Sequence, residues 1–187
     1  MLTHRAATPT LPARIVVLGA SGFVGRAIVR ELARTQAVVD GLSSSDLDLR
    51  EPTSTEALAL RLGPDAALVF VSALAPSMGR DIATLMANLE MGAHVCAALA
   101  ASPLAHVVYI SSDAVYDDGE TMVRETSCCN PGGFHGVMHL TRERMLAHTA
   151  TAAQTPLAIL RPSLLYGPGD PHNGYGPNRF LRTARTD

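Results

Sequence analysis

A glycine-rich loop near the N-terminus has the residue types and spacing of a phosphate cradle. It stands between the apolar run of residues 15–18 and residues 26–34, whose apolar positions repeat at helical spacing. Glycine permits a tight turn, close approach of the backbone to a pyrophosphate, and close packing of a helix on a strand. The free N–H groups that begin the helix attract phosphate. The loop therefore predicts binding of NAD or NADP, with contacts from Gly19, Ser21, Gly22, Phe23, Val24 and Gly25.

Carboxylate and hydroxyl groups follow at the distance where a dinucleotide site holds the adenosine ribose. Asp40 stands about twenty positions beyond the loop, where an acidic residue usually binds the ribose hydroxyls of NAD. The serines at 43–45 follow the same predicted strand, and their hydroxyls could equally accept the 2′-phosphate of NADP. No arginine stands beside them, so the choice between NAD and NADP stays open. The alternative for Asp40 is a solvated carboxylate at the end of a strand.

Two histidines, His135 and His139, could perform acid–base chemistry. They lie in a segment with helical pattern, and residues four apart on a helix share one face. Imidazole titrates near neutral pH, and two protonated rings would repel, so we expect at most one charge. Cys128 and Cys129 add the ligand types of a zinc site. Adjacent cysteines chelate one tetrahedral ion poorly, so we expect no metal.

The composition of the chain limits the classes of protein to which it can belong. The chain has 187 residues, 47% hydrophobic and 17% charged, enough to bury the core of one domain. A formal net charge of −2 argues against nucleic acid as the main partner. The longest apolar-rich stretch is interrupted and short for a membrane span, and residues 1–13 look like a flexible leader rather than a signal peptide. Three cysteines without a spaced framework suit a reducing compartment, so we expect a cytoplasmic protein.

Strand and helix patterns alternate along residues 14–187, which we predict to be one α/β domain. Strands are expected at 14–18, 37–42, 67–72, 106–111 and 157–160, and helices at 26–34, 53–62, 80–100 and 135–149. This alternation predicts a doubly wound parallel sheet, the Rossmann fold, because each right-handed crossover lays a helix on the sheet. Residues 117–133 and 166–177 are rich in turn formers and are predicted to be loops beside the ligand.

Several motifs together resemble the extended short-chain dehydrogenase/reductase superfamily, which includes nucleotide-sugar epimerases, dehydratases and reductases. The resemblance spans residues 15 to about 180 and rests on GASGFVG, SDLDLREP, Asn88, YISSDAVYD and LRPSLLYGPG. It implies that Asp48 and Leu49 flank the adenine and that Ala73 and Leu74 lie along the cofactor. It further implies a substrate of nucleotide-sugar type, contacted by Ser112, Asp113, Asn178 and Arg179, with Arg161 and Tyr166 near its phosphates.

The sequence departs from this family where the family uses a Tyr-x-x-x-Lys pair for hydride transfer chemistry. His135 and His139 stand in those two places. Three interpretations stay open. His135 acts as the acid or base with Ser112 while His139 binds the cofactor ribose, or a water or Tyr116 supplies the proton route, or the chain binds cofactor without turnover. An imidazole reaches roughly 2 Å less far than a phenol, and misplacement of that order can cost about a hundredfold in rate.

The resemblance also concerns the end of the chain. Members of the superfamily ordinarily continue into further strands and a small substrate domain, whereas this sequence ends at Asp187. We therefore expect most of the substrate pocket to be absent and the identity of the sugar to be out of reach. We also expect the fifth strand to present an open edge, which predicts marginal stability or association, for example as a homo-oligomer.

Overall fold

Five parallel strands form the sheet, in the order β2-β1-β3-β4-β5. The computed structural model describes residue 8, residues 10–171 and residues 176–185, so most of the predicted leader lies outside the described residues. The strands are β1 (Arg14–Leu18), β2 (Val38–Leu42), β3 (Ala66–Phe70), β4 (His106–Ile110) and β5 (Leu157–Leu160). The predicted doubly wound parallel sheet is confirmed, and β5 lies at an edge as expected.

Helices connect these strands and cover both faces of the sheet. They are α1 (Phe23–Leu32), α2 (Ser54–Ala59), α3 (Ile82–Ala101), α4 (Phe134–Ala152) and α5 (Gly176–Thr183), with a short 3-10 turn at Asp113–Val115. The turn and α5 fall in or beside segments that the sequence predicts to be irregular. The remaining helices begin and end within a few residues of the predicted bounds.

The alternation of side chains along β1 divides the core into two layers. Val16 and Leu18 pack on one face with Leu58 of α2 and Val95 of α3. Ile15 and Val17 point to the opposite face and pack with residues of α1. All five residues of β3 are buried, because this strand lies in the middle of a sheet covered on both sides.

Helix α3 is the longest helix of the described chain and contributes heavily to the core. In length and hydropathy it also matches a membrane span, the one described helix to do so. Met91, Val95 and Leu99 are nevertheless buried in the main core cluster. The apolar composition of α3 thus serves packing against the sheet and its neighbouring helices.

The order of the strands determines where a ligand fits. The chain passes from β1 to β2 on one side and then returns to place β3 on the other side. The loops after β1 and β3 therefore diverge at the carboxyl edge of the sheet and leave a crevice between them.

Candidate functional site

The glycine loop after β1 has a backbone that only small residues allow. Gly19 has a φ of +91°, and a Cβ there would lie 2.9 Å from the main-chain nitrogen of Ser72. A Cβ on Gly25 would overlap the Gly19 carbonyl oxygen. Helix α1 begins beyond Gly22 with no side-chain cap and no acidic residue in its first turn. Its first N–H groups thus point to the crevice without a side-chain acceptor.

Asp40 does not lie at this edge, which corrects the prediction that it holds the adenosine ribose. It pairs with Val16 inside β2, two residues before the strand ends, and so shares the face of Val16 that packs on α2. Its carboxylate lies 3.7 Å from Nε of Arg61, just beyond α2. The alternation of side chains along the strand turns Asp40 away from the glycine loop.

The residues that follow β2 form a closed turn of hydroxyl and carboxylate groups. The main-chain N–H of Ser43 donates to Oδ2 of Asp46 (2.9 Å), and the hydroxyls of Ser43 and Ser45 are 2.7 Å apart. The side-chain hydrogen bond from Ser43, supported by its backbone N–H, lowers the pKa of Asp46. This turn therefore carries a carboxylate beside the hydroxyls that could accept a 2′-phosphate.

Asp48 and Leu49, which the resemblance places beside adenine, are held in different ways. The carboxylate of Asp48 accepts from Nη2 of Arg50 at 2.6 Å, and hydrogen bonding from Arg50 lowers the pKa of Asp48 to about 2. The side chain of Leu49 is buried in the core, and its carbonyl accepts from Nδ1 of His94 at 2.8 Å. Burial leaves the main chain of Leu49 as the part available to a ligand.

The loop after β3 is clamped by a buried amide. Asn88 of α3 accepts from the N–H of Leu74 (2.9 Å) and donates to the Leu74 carbonyl (3.2 Å). Arg142 of α4 donates to the carbonyls of Ser72 and Asn88, each at 2.8 Å. Ala73 therefore lies in a segment fixed on both sides, at the crevice where the resemblance places the cofactor.

The two histidines of α4 lie together, as their spacing predicts. Their ring centroids are 4.6 Å apart, with the rings nearly perpendicular. His139 is only 5% exposed, and its Nδ1 is 2.8 Å from the hydroxyl of Tyr109. Burial above all, with His135 and Arg142 adding to it, lowers the pKa of His139 to about 3. Burial also lowers the pKa of His135, and the nearby Asp113 opposes that shift. Both rings are therefore neutral at pH 7, whereas the sequence left room for one of the two to be charged.

Ser112 and Asp113 lie against the start of α4. Ser112 caps the 3-10 turn, because its hydroxyl accepts from the N–H of Ala114 (3.1 Å) and donates to Asp113 (3.2 Å). A Cβ on Gly136 would overlap the carbonyl oxygen of Ala114, so only glycine lets α4 approach the turn this closely. This contact brings Ser112, Asp113 and His135 to one region of the crevice.

A buried network beside this region was not anticipated from the sequence. The carboxylate of Glu143 accepts from Ser111 (2.6 Å) and from two nitrogens of Arg161 (2.9 and 2.6 Å). Arg161 also donates to the hydroxyl of Tyr116 at 2.8 Å, and the bond to Glu143 raises its pKa. The structure thus places Arg161 against Glu143, and the oxygen of the buried Tyr116 hydroxyl accepts from Arg161. The roles of Arg161 at substrate phosphates and of Tyr116 in a proton route stay predictions.

The predicted substrate contacts from the C-terminal segment lie apart from the histidines. The amide of Asn178 donates to the Gly167 carbonyl (3.0 Å) and to Asp170 (3.1 Å), so it stabilises its own loop. Arg179 and Tyr166 are exposed. The described residues that line the cleft beside His135 come from other segments, so the structure does not bring Asn178 or Arg179 to that cleft.

The cleft lies between the loop after β3, the start of α3 and the start of α4. Its volume is about 520 Å³, within the usual range of small-molecule sites. Its walls are apolar at Leu74, Phe134 and Met138, and His135 is the one imidazole among its described lining residues. Within the described part of the chain, no three His, Cys, Asp or Glu side chains cluster as a metal site would need. The cleft therefore combines a neutral imidazole and an apolar wall with the charged residues Arg80 and Asp81.

Comparison with known proteins gives both sequence and structural matches. Residues 15–186 match the NAD dependent epimerase/dehydratase family. The chain is 28% identical over 167 residues to methionine adenosyltransferase 2 subunit beta of Xenopus tropicalis. RMD from Pseudomonas aeruginosa, solved in complex with NADPH, is 28% identical with a TM-score of 0.72. UDP-glucose 4-epimerase from Thermus thermophilus, in complex with NAD, has a TM-score of 0.74 at 22% identity, which shows the fold alone.

The matches cover most of this chain but only part of the relatives. The alignment with the Xenopus protein covers 84% of this chain and 49% of that protein, so the chain spans about half the length of the curated relative. The structural matches cover 87% of this chain and 58% of RMD, and 91% of this chain and 60% of the epimerase. The family match over residues 15–186 includes the glycine loop and both histidines of this chain.

Proposed function

Because the chain belongs to the NAD dependent epimerase/dehydratase family, we propose that it binds NAD(H) or NADP(H) and transfers hydride to or from a nucleotide-sugar type of substrate. The observation that carries this proposal is the position of His135. It lines a cleft of about 520 Å³ beside the clamped loop after β3, at the same carboxyl edge as the glycine loop. A proton-transfer group and the proposed phosphate cradle therefore lie at the same edge of the sheet.

The residues present fit a dinucleotide. The start of α1 offers N–H groups that no side chain caps, and the helix dipole adds partial positive charge there. Gly19 and Gly25 leave no space for a side chain between the loop and its neighbours, so the backbone itself forms the surface for a pyrophosphate. The clamp from Asn88 to Leu74 fixes the opposite wall of the crevice.

In the proposed reaction the nicotinamide supplies the site that accepts or gives the hydride. His135, neutral at pH 7, takes the proton of the substrate hydroxyl when the alcohol is oxidised and returns it when the carbonyl is reduced. The hydroxyl of Ser112 orients the same substrate oxygen. Phe134 and Met138 exclude water from one side of the cleft.

The test begins with calorimetric titration of NAD(H) and NADP(H) into the whole chain. Binding in the millimolar range or tighter is expected, and its absence with all four cofactors would remove the proposal. Turnover is then measured on a panel of UDP- and dTDP-sugars with the wild type and His135→Gln. The variant is expected to retain cofactor binding and to lose at least about a hundredfold in kcat, since a positioned acid–base group contributes about 10²–10⁴-fold. Equal turnover by the variant would contradict the role of His135.

A second candidate is a cofactor-binding subunit without turnover. Two observations favour it: His139 is neutral where the family's lysine is charged, and the chain resembles a protein named as a subunit of methionine adenosyltransferase. The double substitution His135→Tyr and His139→Lys distinguishes the two candidates. A rise in activity on the sugar panel would indicate an intact substrate pocket, whereas continued inactivity of a folded, cofactor-binding variant would favour the subunit.

A further inference from the structure

Three buried side chains form a polar chain that leads from the interior to the histidine pair. Arg142 is fully buried, Tyr109 is 1% exposed and His139 is 5% exposed. The phenol oxygen of Tyr109 is 2.8 Å from Nδ1 of His139. The guanidinium of Arg142 lies close to the phenol and 5.0 Å from the centre of the Phe70 ring. A buried cation, a phenol and an imidazole are thus linked in that order.

The environment of Arg142 is unusual because its charge meets neutral acceptors. Its strongest hydrogen bonds go to the carbonyls of Ser72 and Asn88. None of the ion pairs between described residues includes Arg142. A guanidinium has donors and no acceptor, so it can offer only N–H groups to Tyr109. Gly92 of α3 makes room for it, since a Cβ there would lie 3.1 Å from Cγ of Arg142.

The direction of the hydrogen bond between Tyr109 and His139 follows from this arrangement. The positive guanidinium repels the hydroxyl proton of Tyr109 and so turns it towards His139. Arg142 can only donate to that hydroxyl, so among the described residues Nδ1 of His139 is the partner that can accept its proton. If Nδ1 carried the proton instead, the buried O–H of Tyr109 would lack an acceptor, at a cost of about 1–3 kcal/mol.

Both groups are neutral at pH 7. Burial raises the pKa of Tyr109 to about 12, so the phenol keeps its proton. Burial, with smaller contributions from His135 and Arg142, lowers the pKa of His139 to about 3. A neutral imidazole that accepts at Nδ1 carries its single proton at Nε2.

We propose that Tyr109 and Arg142 are positioning residues that fix His139 as its Nε2–H tautomer. Helix α4 then presents a neutral N–H donor next to His135, where a lysine would present a charged one. This N–H group would donate to a ligand oxygen that has a free lone pair. We assign that oxygen to a ribose hydroxyl of the cofactor, an assignment that rests on the proposed function. The tautomer itself is a property of the free chain and does not depend on that assignment.

The tautomer can be observed directly by long-range ¹H–¹⁵N correlation spectra of the whole chain labelled with ¹⁵N-histidine. Comparison with His139→Gln identifies the His139 signals. In the wild type at pH 7 without cofactor, we expect a protonated Nε2 and an unprotonated Nδ1. In Tyr109→Phe we expect the two nitrogen shifts to move towards each other, because the hydroxyl that selected the tautomer is gone.

Tyr116→Phe is the matched control. It also removes a buried tyrosine hydroxyl that takes part in a hydrogen bond, in that case one donated by Arg161, and no hydrogen bond between described residues joins it to either histidine. Its His139 signals are expected to match the wild type. Arg142→Lys keeps a cation with donors only, and it is expected to keep the Nε2–H tautomer. For NADH, Tyr109→Phe is expected to weaken affinity about twofold to tenfold, the usual effect of one neutral hydrogen bond.

The outcomes separate this inference from the proposed function. A protonated Nδ1 or averaged tautomers of His139 in the wild type would overturn the inferred tautomer. An unchanged His139 spectrum in folded Tyr109→Phe would also overturn it. Should Tyr109→Phe fail to fold, the wild-type and Arg142→Lys spectra decide, since loss of the Nε2–H tautomer in either contradicts the inference. If the Nε2–H tautomer is found but no cofactor binds, the proposed function fails while the fixed tautomer stands.

Discussion

The cradle at the start of α1 can be tested by a substitution that should stabilise the fold and weaken cofactor binding. Gly22 is the N-cap of α1, with φ −70° and ψ 168°, a backbone that aspartate adopts readily. In Gly22→Asp the new Cβ would lie 3.3 Å from the Gly19 carbonyl oxygen, which requires only a small shift. The new carboxylate would occupy the uncapped N–H groups that we assign to the pyrophosphate.

The two effects have opposite signs and different sizes. Replacing a glycine cap by aspartate stabilises a helix by a few tenths of a kcal/mol, and charge at the dipole adds about 0.3–1 kcal/mol. In a chain of this size we expect Tm to rise by about 1–4 °C. A carboxylate at about 4 Å from a phosphate repels it by about 1–4 kcal/mol, which corresponds to a loss of affinity of at least fivefold.

Calorimetry with NAD(H) and NADP(H), beside thermal melts, measures both effects. Gly22→Asn is the matched control, because it caps the same N–H groups without a charge. We expect affinity to fall in the order wild type, Asn, Asp, and the gap between Asn and Asp to narrow at high salt as the repulsion is screened. Wild-type affinity in Gly22→Asp would refute the assignment of the phosphates to α1. Equal losses in both variants would indicate a steric cause instead.

Three further predictions concern side chains whose placement the structure determined. Arg161→Met should destabilise the fold by about 3–5 kcal/mol in urea unfolding, because it leaves Glu143 buried with an uncompensated charge, and a change below 1 kcal/mol would contradict the network. Asp40→Asn should leave cofactor affinity within about twofold of the wild type, because Asp40 pairs with the half-exposed Arg61 and such ion pairs contribute little. A tenfold loss of NADH affinity would instead indicate that Asp40 binds the ribose. Asp48→Asn should reduce the loss of stability on acidification. A carboxylate whose pKa is lowered in the folded state stabilises the fold above its unfolded pKa, and this stabilisation is lost as pH falls from about 4 through about 2. Identical acid unfolding curves for variant and wild type would contradict this prediction.

The sequence alone determined the architecture and the location of the cradle. The strand and helix periods of residues 14–18 and 26–34 are local properties, and the glycines between them have few alternative uses in that context. The alternating order of elements then forces a parallel sheet with helices on both faces, since right-handed crossovers allow little else. The spacing of His135 and His139 likewise predicts that both lie on one face of a helix, and their ring centroids are 4.6 Å apart.

The tertiary structure decided which polar side chains are available to a ligand. Asp40 has a suitable distance from the glycine loop along the chain, but its register opposite Val16 turns its side chain towards α2. Because side chains alternate between the two faces of a strand, a shift of one residue in register would place the carboxylate on the other face. Arg161 would ordinarily be solvated, yet Glu143, 18 residues earlier, holds its guanidinium in a half-buried position.

The state of His139 was equally beyond local reasoning. Its partner Tyr109 lies 30 residues away on β4, and Arg142 reaches Ser72 across 70 residues of chain. Hydrogen-bond direction, tautomer and charge depend on which groups meet in space and how much water remains among them. The sequence therefore indicated where the candidate site lies. The packing between α3, α4 and the sheet determined the protonation state of His135 and His139 in that site.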